Sequence, residues 1–301
     1  MHRDGKAYNR RDRVKESLHK VSPPYKTTMI DIHVHFFPPG IFEAIWRYFE
    51  TPGHRLWNIK YKLYGKEHIQ TLRKKEGVKR FTTLVYAHKR GLARYLNDFI
   101  RESADHFPEL IPFGTVFAGD GHSEKVARQI FEEYKFFGIK LHPFVSGENL
   151  DDPRFFPVYE IMQDLGKVLI CHPGSAPVYG QTDGAIRLRN VLSQFPRLKV
   201  IVAHCGAFEY GDYRVLADDF EYLYFDTAMN CVHTEVFSNN CPGKEFLLKY
   251  QDRILFGSDF PNIPYAYTDQ VAALRKLNLG ESVERKIFND NALNLLELKE
   301  S

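Results

Sequence analysis

Short apolar, β-branched runs alternate along this chain with segments of helical periodicity, and that alternation limits the fold more than any other feature. Strands are expected at residues 29–33, 80–86, 111–117, 138–141, 167–171, 199–203, 223–226 and 253–256. Between them, apolar residues recur every three or four positions, as in 91–107, 123–137, 155–165, 185–195 and 241–250. Near-continuous apolar strands joined by helices imply parallel strands covered on their outer face. Eight of them point to closure into a (β/α)8 TIM barrel rather than an open sheet. A doubly wound sheet would carry a glycine-rich phosphate loop after its first strand. Here that position reads His33-Val34-His35-Phe36-Phe37-Pro38.

A barrel of this kind takes about 250 residues, so the 301 residues suit one barrel domain over 27–301 plus an extension over 1–26. The extension holds eight Lys or Arg against Asp4, Asp12 and Glu16, a local charge of +5, which leaves −2 on the remainder. The basic balance therefore belongs to a tail and argues against a nucleic-acid-binding body. We expect that tail to be a flexible extension. The longest apolar runs fall far short of a membrane span, and the N-terminus lacks the apolar core and cleavage site of a secretory signal. Four cysteines without a C-x-x-C pair fit reduced thiols in a cytosol, so a cytoplasmic protein is expected. Cys171 and Cys205, each beside a histidine, are expected to pack rather than ligate.

One connection is unusual. Residues 36–79 form a long, aromatic-rich insertion after the first strand, with Phe42, Trp46, Phe49, Trp57, Tyr61 and Tyr64 among its rings, opening on a helix at 39–49. Leaving the C-terminal end of a barrel strand, it overhangs the mouth where such barrels build their sites. A lid or a subunit contact, compatible with a homo-oligomer, is expected there. The segment 281–298 reads as a terminal helix or helix pair.

The chemistry-bearing residues sit at strand ends. Alternation along a strand lets His33 and His35 share one face while Val34 points away, a geometry suited to two imidazoles on one divalent metal. His142 closes Gly138-Ile139-Lys140-Leu141, His172 closes Val168-Leu169-Ile170-Cys171, and His204 closes Val200-Ile201-Val202-Ala203. Asp226 and Asp259 end two further runs. Buried imidazoles and carboxylates are costly unless paired or coordinated, so a set of them capping apolar strands implies a site.

The H-x-H at 33–35, His172-Pro173-Gly174, Ala203-His204 and Gly257-Ser258-Asp259-Phe260-Pro261 together resemble the amidohydrolase superfamily. More narrowly, they resemble its amidohydrolase-related branch, which holds uncharacterised hydrolases and the aminocarboxymuconate-semialdehyde and resorcylate-type decarboxylases. The resemblance spans about residues 29–298. It implies His33, His35, His172 and Asp259 as ligands of one divalent metal, usually zinc, with manganese or iron also compatible with N/O ligands. It implies His204 as an acid/base or electrostatic residue beside the metal. Some members of the superfamily bridge two ions through a carboxylated lysine or a glutamate ending the fourth strand. Lys140 and His142, which share a face, thus stand as second-metal, substrate-contacting or supporting residues. Asp226 is read either as a partner of His204 or as a strand-end hydrogen-bonding group. Arg187 and Arg189 are candidates for contacting an anionic substrate.

Three imidazoles and a carboxylate leave room for a water that zinc can acidify to a pKa of about 7. The expected activity is therefore hydrolysis of a small amide, ester or lactone, with Asp259 and His204 as catalytic groups. The same residues could instead orient an aromatic or muconate-like acid for non-oxidative decarboxylation. A non-catalytic barrel that binds a partner through its basic arm is the third reading, and it leaves the ligand set without purpose.

Overall fold

A computed structural model describes residues 28–54, 56–177, 182–232 and 242–299. The basic segment 1–26, His233 and Cys241 lie outside these residues. Nine parallel segments are assigned among them: β1 (Met29–Asp31), β2 (Val78–Thr82), β3 (Leu110–Ile111), β4 (Phe113–Gly114), β5 (Gly138–Leu141), β6 (Val168–Cys171), β7 (Lys199–Val202), β8 (Leu223–Asp226) and β9 (Ile254–Leu255). They form eight barrel strands, because β3 and β4 are halves of one strand interrupted at Pro112, which has no N–H for the ladder. β3 pairs with β2, and β4 pairs with β5.

The order runs β1-β2-β3 and then β4 through β9 without a crossover. The Ile32 N–H donates to the Phe256 carbonyl at 3.0 Å, the Asp259 N–H donates to the His33 carbonyl at 2.8 Å, and Val34 bridges Phe260. These bonds join the first strand to the last, and the chain forms a TIM barrel. Alternation divides the core in two. Ile30, Phe113, Val168, Ile170, Ile201 and Leu255 meet inside the barrel with Leu295 and Leu296 from the C-terminal helix. Ile139, Leu169, Val200, Val202 and Phe225 belong to the larger layer under the outer helices.

The expected helices occur with shifted ends: α1 (Pro39–Glu50), α3 (Leu92–His106), α6 (Phe156–Asp164), α7 (Gly184–Gln194) and α9 (Lys244–Lys249). The helix expected over 123–137 is α4 (Ser123–Arg128) widened into a π-turn at Gln129–Glu133, and the chain reverses at Lys135, whose φ is 59°. The terminal pair is α11 (Glu281–Arg285) and α12 (Asn291–Leu295), joined by another π-turn. Further helices are α2 (Gly65–Gln70), α5 (Pro143–Ser146), α8 (Tyr210–Asp219) and α10 (Tyr267–Lys276).

In α1, Pro39 sits in the first turn, where its missing N–H is harmless. Phe42 and Trp46 then bury one face of the helix. The Trp46 and Trp57 indole N–H groups donate to Asn262 Oδ1 (3.2 Å) and to its carbonyl (2.8 Å). The insertion is thereby tied to the loop after β9 and lies over the C-terminal mouth of the barrel.

Candidate metal centre and active site

Two backbone devices aim the first-strand histidines. Ile30 and Ile32 both point into the barrel while Val34 points out, so the alternation slips by one residue between Ile32 and His33. At that slip Asp31 Oδ1 accepts from the His33 N–H and the Ser258 N–H, both at 3.1 Å, and Asp31 Oδ2 accepts from the Tyr267 hydroxyl at 2.8 Å. The slip turns His33 inward with His35. Across from it, a Cβ added to Gly257 would lie 2.7 Å from His33 Cβ, so glycine is what lets the last strand approach the first.

Asp259, two residues on, stands at a φ of 67°. His204, Cys205 and Ala207 have φ values of 56°, 48° and 45° around Gly206 at 87°. Left-handed conformations at non-glycine residues carry strain and cluster at functional sites. Here they turn the β7 end sharply enough to bring the His204 ring within 4.8 Å of both the His33 and the His172 rings.

The buried side chains meet in a defined pattern. His33 Nδ1 is 2.8 Å from Asp226 Oδ2, and a carboxylate can only accept, so that nitrogen carries the proton. His33 Nε2 then presents its lone pair 3.2 Å from Asp259 Oδ1, with no hydrogen-bond partner. His35 Nδ1 lies 3.3 Å from the Leu84 carbonyl, while its Nε2 is 2.9 Å from the same Asp259 oxygen. His172 Nε2 is buried without a hydrogen-bond partner. His142 stacks on His172 with centroids 4.2 Å apart. The His33 and His35 rings thus each face an acceptor oxygen at both nitrogens, and a neutral imidazole has one proton to give, so each ring is one donor short unless an added proton or a cation lies among them. That donor chemistry fits a divalent ion at His33, His35 and Asp259, whose ligand atoms lie within 4.8 Å of one another, as do those of His33, His204 and Asp226.

The electrostatics agree. Asp259 is held well below the usual carboxylate range because the adjoining His33 and His35 rings outweigh its burial. Asp226 is likewise drawn down, to about 2, by His33 against burial. Burial, and then the neighbouring imidazoles, push His172 well below its ordinary value and His204 down to about 4. His33 alone is raised, because Asp226 and Asp259 outweigh burial and Lys140. Burial thus favours neutral His35 and His172 beside ionised carboxylates, the states that metal binding requires, and His33, which holds a proton more readily, would release it to an incoming ion.

Asp226 serves more groups than either expectation held. Besides fixing the His33 tautomer it accepts from the backbone N–H groups of His204 (2.8 Å) and Ala228 (3.0 Å). The His204 ring is oriented instead by the Ala228 carbonyl, 2.9 Å from Nδ1. With Nδ1–H donated there, the neutral ring keeps its lone pair on Nε2. Lys140 is fully buried behind the cluster, its amine without a hydrogen bond and its pKa lowered by burial.

The arginines are not brought to this cluster. Arg187 pairs with Asp151 (2.8 Å) and Asp183 (2.6 Å), and Arg189 pairs with Asp219 (2.7 Å) while lying over the Phe220 ring. Sequence reasoning did not single out Tyr86, Met229 and Asn262, which join Phe49 and Trp57 of the expected insertion and the histidines around a chamber of about 50 Å³ above Asp259. Tyr86 could have been found as the end of the second apolar run. Cys171 is fully buried, its thiol pushed up to about 12 by burial, and Cys205 donates to the Asp226 carbonyl at 3.1 Å.

The sequence profile of the amidohydrolase family matches residues 30–298. The chain belongs to the amidohydrolase family. A curated relative, 2-amino-3-carboxymuconate-6-semialdehyde decarboxylase of Dictyostelium discoideum, is 34% identical over 84 residues, covering 27% of this chain and 23% of that protein. Among solved structures, the 2,6-dihydroxybenzoate decarboxylase from Rhizobium superposes with a TM-score of 0.70 at 17% identity, covering 90% of this chain and 99% of that one. The 5-carboxyvanillate decarboxylase of Novosphingobium aromaticivorans, complexed with manganese and 4-hydroxy-3-methoxy-5-nitrobenzoic acid, gives 0.69 at 19% identity over 90% and 96% of the two chains. At these identities the structural likeness is one of fold.

Proposed function

We propose that this amidohydrolase-family barrel is a metal-dependent, non-oxidative decarboxylase of a small aromatic or muconate-like acid. The observation that carries the metal centre is the convergence of the His33 and His35 Nε2 atoms on Asp259, beside the unpartnered His172 Nε2. Decarboxylation is favoured over the expected hydrolysis because the curated relative and both structural neighbours described above are decarboxylases. Manganese in one neighbour also loosens the expectation of zinc.

A bound divalent ion would supply a positive charge that fixes the substrate carboxylate and an adjacent oxygen. The remaining work falls to the protein. His33, His35, His172 and Asp259 would hold the ion, and Asp226 keeps the proton on His33 Nδ1 so that Nε2 offers its lone pair. His204, neutral and with its lone pair on Nε2, would take one proton from a solvent water or from a hydroxyl of the substrate. In its protonated form, or through Asp259, that proton is returned to the ring carbon that bears the carboxylate. The bond between that carbon and the carboxylate then breaks, its electron pair stays with the ring, and CO2 leaves. One proton replaces one CO2, and no oxidant is needed. Tyr86, Trp57, Phe49 and Met229 wall the chamber and leave little room for bulk water.

The test is product analysis on protein purified without chelator. CO2 release from ortho-hydroxybenzoic or muconate-type acids, lost in His33→Ala, is the expected result. Release of acid from esters, lactones or amides, with no CO2 from any acid, would restore the hydrolase reading.

A further inference from the structure

The chamber above Asp259 is too small for the body of any aromatic acid. At about 50 Å³ it holds a carboxylate and a few waters, whereas a cavity of about 150 Å³ is needed for one benzene ring. It shares Phe49, Tyr86, His142 and Pro177 as walls with an adjoining cavity of about 650 Å³. That outer space is about four times what a single ring requires, and it falls within the usual range of small-molecule sites.

Its walls are mainly apolar, with His88 and Lys89 on one side as polar exceptions. Phe37, Ile41, Ile45 and Leu92 form its floor and sides, and α1 widens it by presenting Gly40 and Ala44 one turn apart. A Cβ added to Gly40 would meet nothing within 4 Å. The rim leaves large apolar side chains in water, with Tyr48 at 46% and Phe144 at 52% exposure. Exposed apolar surface gathered around one opening marks a place where a ligand covers it.

We propose that the outer cavity is a second substrate subsite, and that the substrate is an aromatic carboxylic acid bearing an apolar substituent, an alkyl chain or its equivalent, on the side of the ring opposite the reacting carboxylate. The inference rests on the decarboxylase reading for the carboxylate end and on the cavity alone for the substituent. With the carboxylate at Asp259 and the histidines, the ring lies at the Tyr86–His142 neck, and the opposite ring position faces Ile41, Ala44 and Ile45.

The test uses the full-length, manganese-loaded protein with salicylate and its ethyl, propyl and pentyl derivatives, substituted para to the carboxylate. Affinity by calorimetry and kcat/KM for CO2 release are measured in parallel. Burial of each methylene predicts an affinity gain of about fourfold per carbon. Ala44→Trp fills the cavity from an exposed helix position and is expected to flatten that dependence, read as the ratio of pentyl to ethyl affinity within the one variant. Should the variant not fold, the wild-type series still decides. Affinities equal within twofold across the series would overturn the subsite, as would a folded Ala44→Trp that keeps the full chain-length dependence. If affinity climbs with chain length but no acid loses CO2, the decarboxylase reading fails and the subsite stands. If salicylate loses CO2 and chain length has no effect, only the subsite fails. If no acid binds or turns over, both fall.

Discussion

Replacing Asp226 by Asn tests how far the centre depends on a residue that does not face the chamber. In the wild type, one carboxylate oxygen takes the His33 Nδ1 proton at 2.8 Å and the other takes two backbone N–H groups at 2.8 and 3.0 Å. An amide has one acceptor and one donor end. If its oxygen faces the backbone, its NH2 faces His33 Nδ1, and the imidazole must move its proton to Nε2, where it blocks a metal ligand. If the oxygen faces His33, the NH2 opposes two N–H groups, leaving buried donors unsatisfied at about 1–3 kcal/mol. Either orientation weakens the centre. Losing such a supporting partner typically lowers metal affinity by about 10–100-fold, equivalent to about 1.4–2.8 kcal/mol. Competition titration of the apo-protein against a chromogenic chelator, with manganese and with zinc, measures this directly. Affinity for both ions within twofold of wild type would refute the tautomer argument.

Three further outcomes follow from particular contacts. His68 is enclosed by Phe36, Phe42, Phe81 and Phe260, and burial pulls it down to about 3 from an ordinary 6.5. Because the folded state resists the proton, its stability is intact above pH 6.5 and falls as pH drops from there toward 3. Wild type should therefore lose about 2 kcal/mol more than His68→Phe between pH 7 and pH 5 in urea unfolding, and parallel losses would remove the claim. Gly257→Ala, with its Cβ forced to 2.7 Å from His33 Cβ, should destabilise by about 1–3 kcal/mol through overpacking and release metal more readily, checked by melting and metal analysis. Arg187→Ala and Arg189→Ala remove partly exposed ion pairs worth about 0–1 kcal/mol each and should leave kcat/KM within about twofold. A tenfold rise in KM in either would return them to the substrate.

The strand-end histidines and aspartates were legible because each interrupts an apolar run, and burial makes such residues conspicuous. The eight-strand alternation was legible for the same reason. Other features depend on partners that periodicity cannot reach. The slip that turns His33 inward is stabilised by Ser258 and Tyr267, more than two hundred residues away. The strand expected over 111–117 splits at Pro112 and ends at Gly114. α8, reading Tyr-Gly-Asp-Tyr-Arg-Val-Leu-Ala-Asp-Asp, shows too weak an apolar stripe to stand out. Nor does sequence reveal that Asp151 and Asp219, thirty or more positions away from Arg187 and Arg189, claim those side chains. Chamber walls such as Met229 and Asn262 come from loops whose side chains carry no period at all.

The central claim is that one divalent ion sits among His33, His35, His172 and Asp259. Diffraction from manganese-loaded crystals, collected on both sides of the manganese absorption edge, tests it most directly. The account predicts one anomalous peak at about 2.0–2.3 Å from three imidazole nitrogens and the Asp259 carboxylate. No peak at these residues, or a pair of peaks bridged by Lys140, would contradict it.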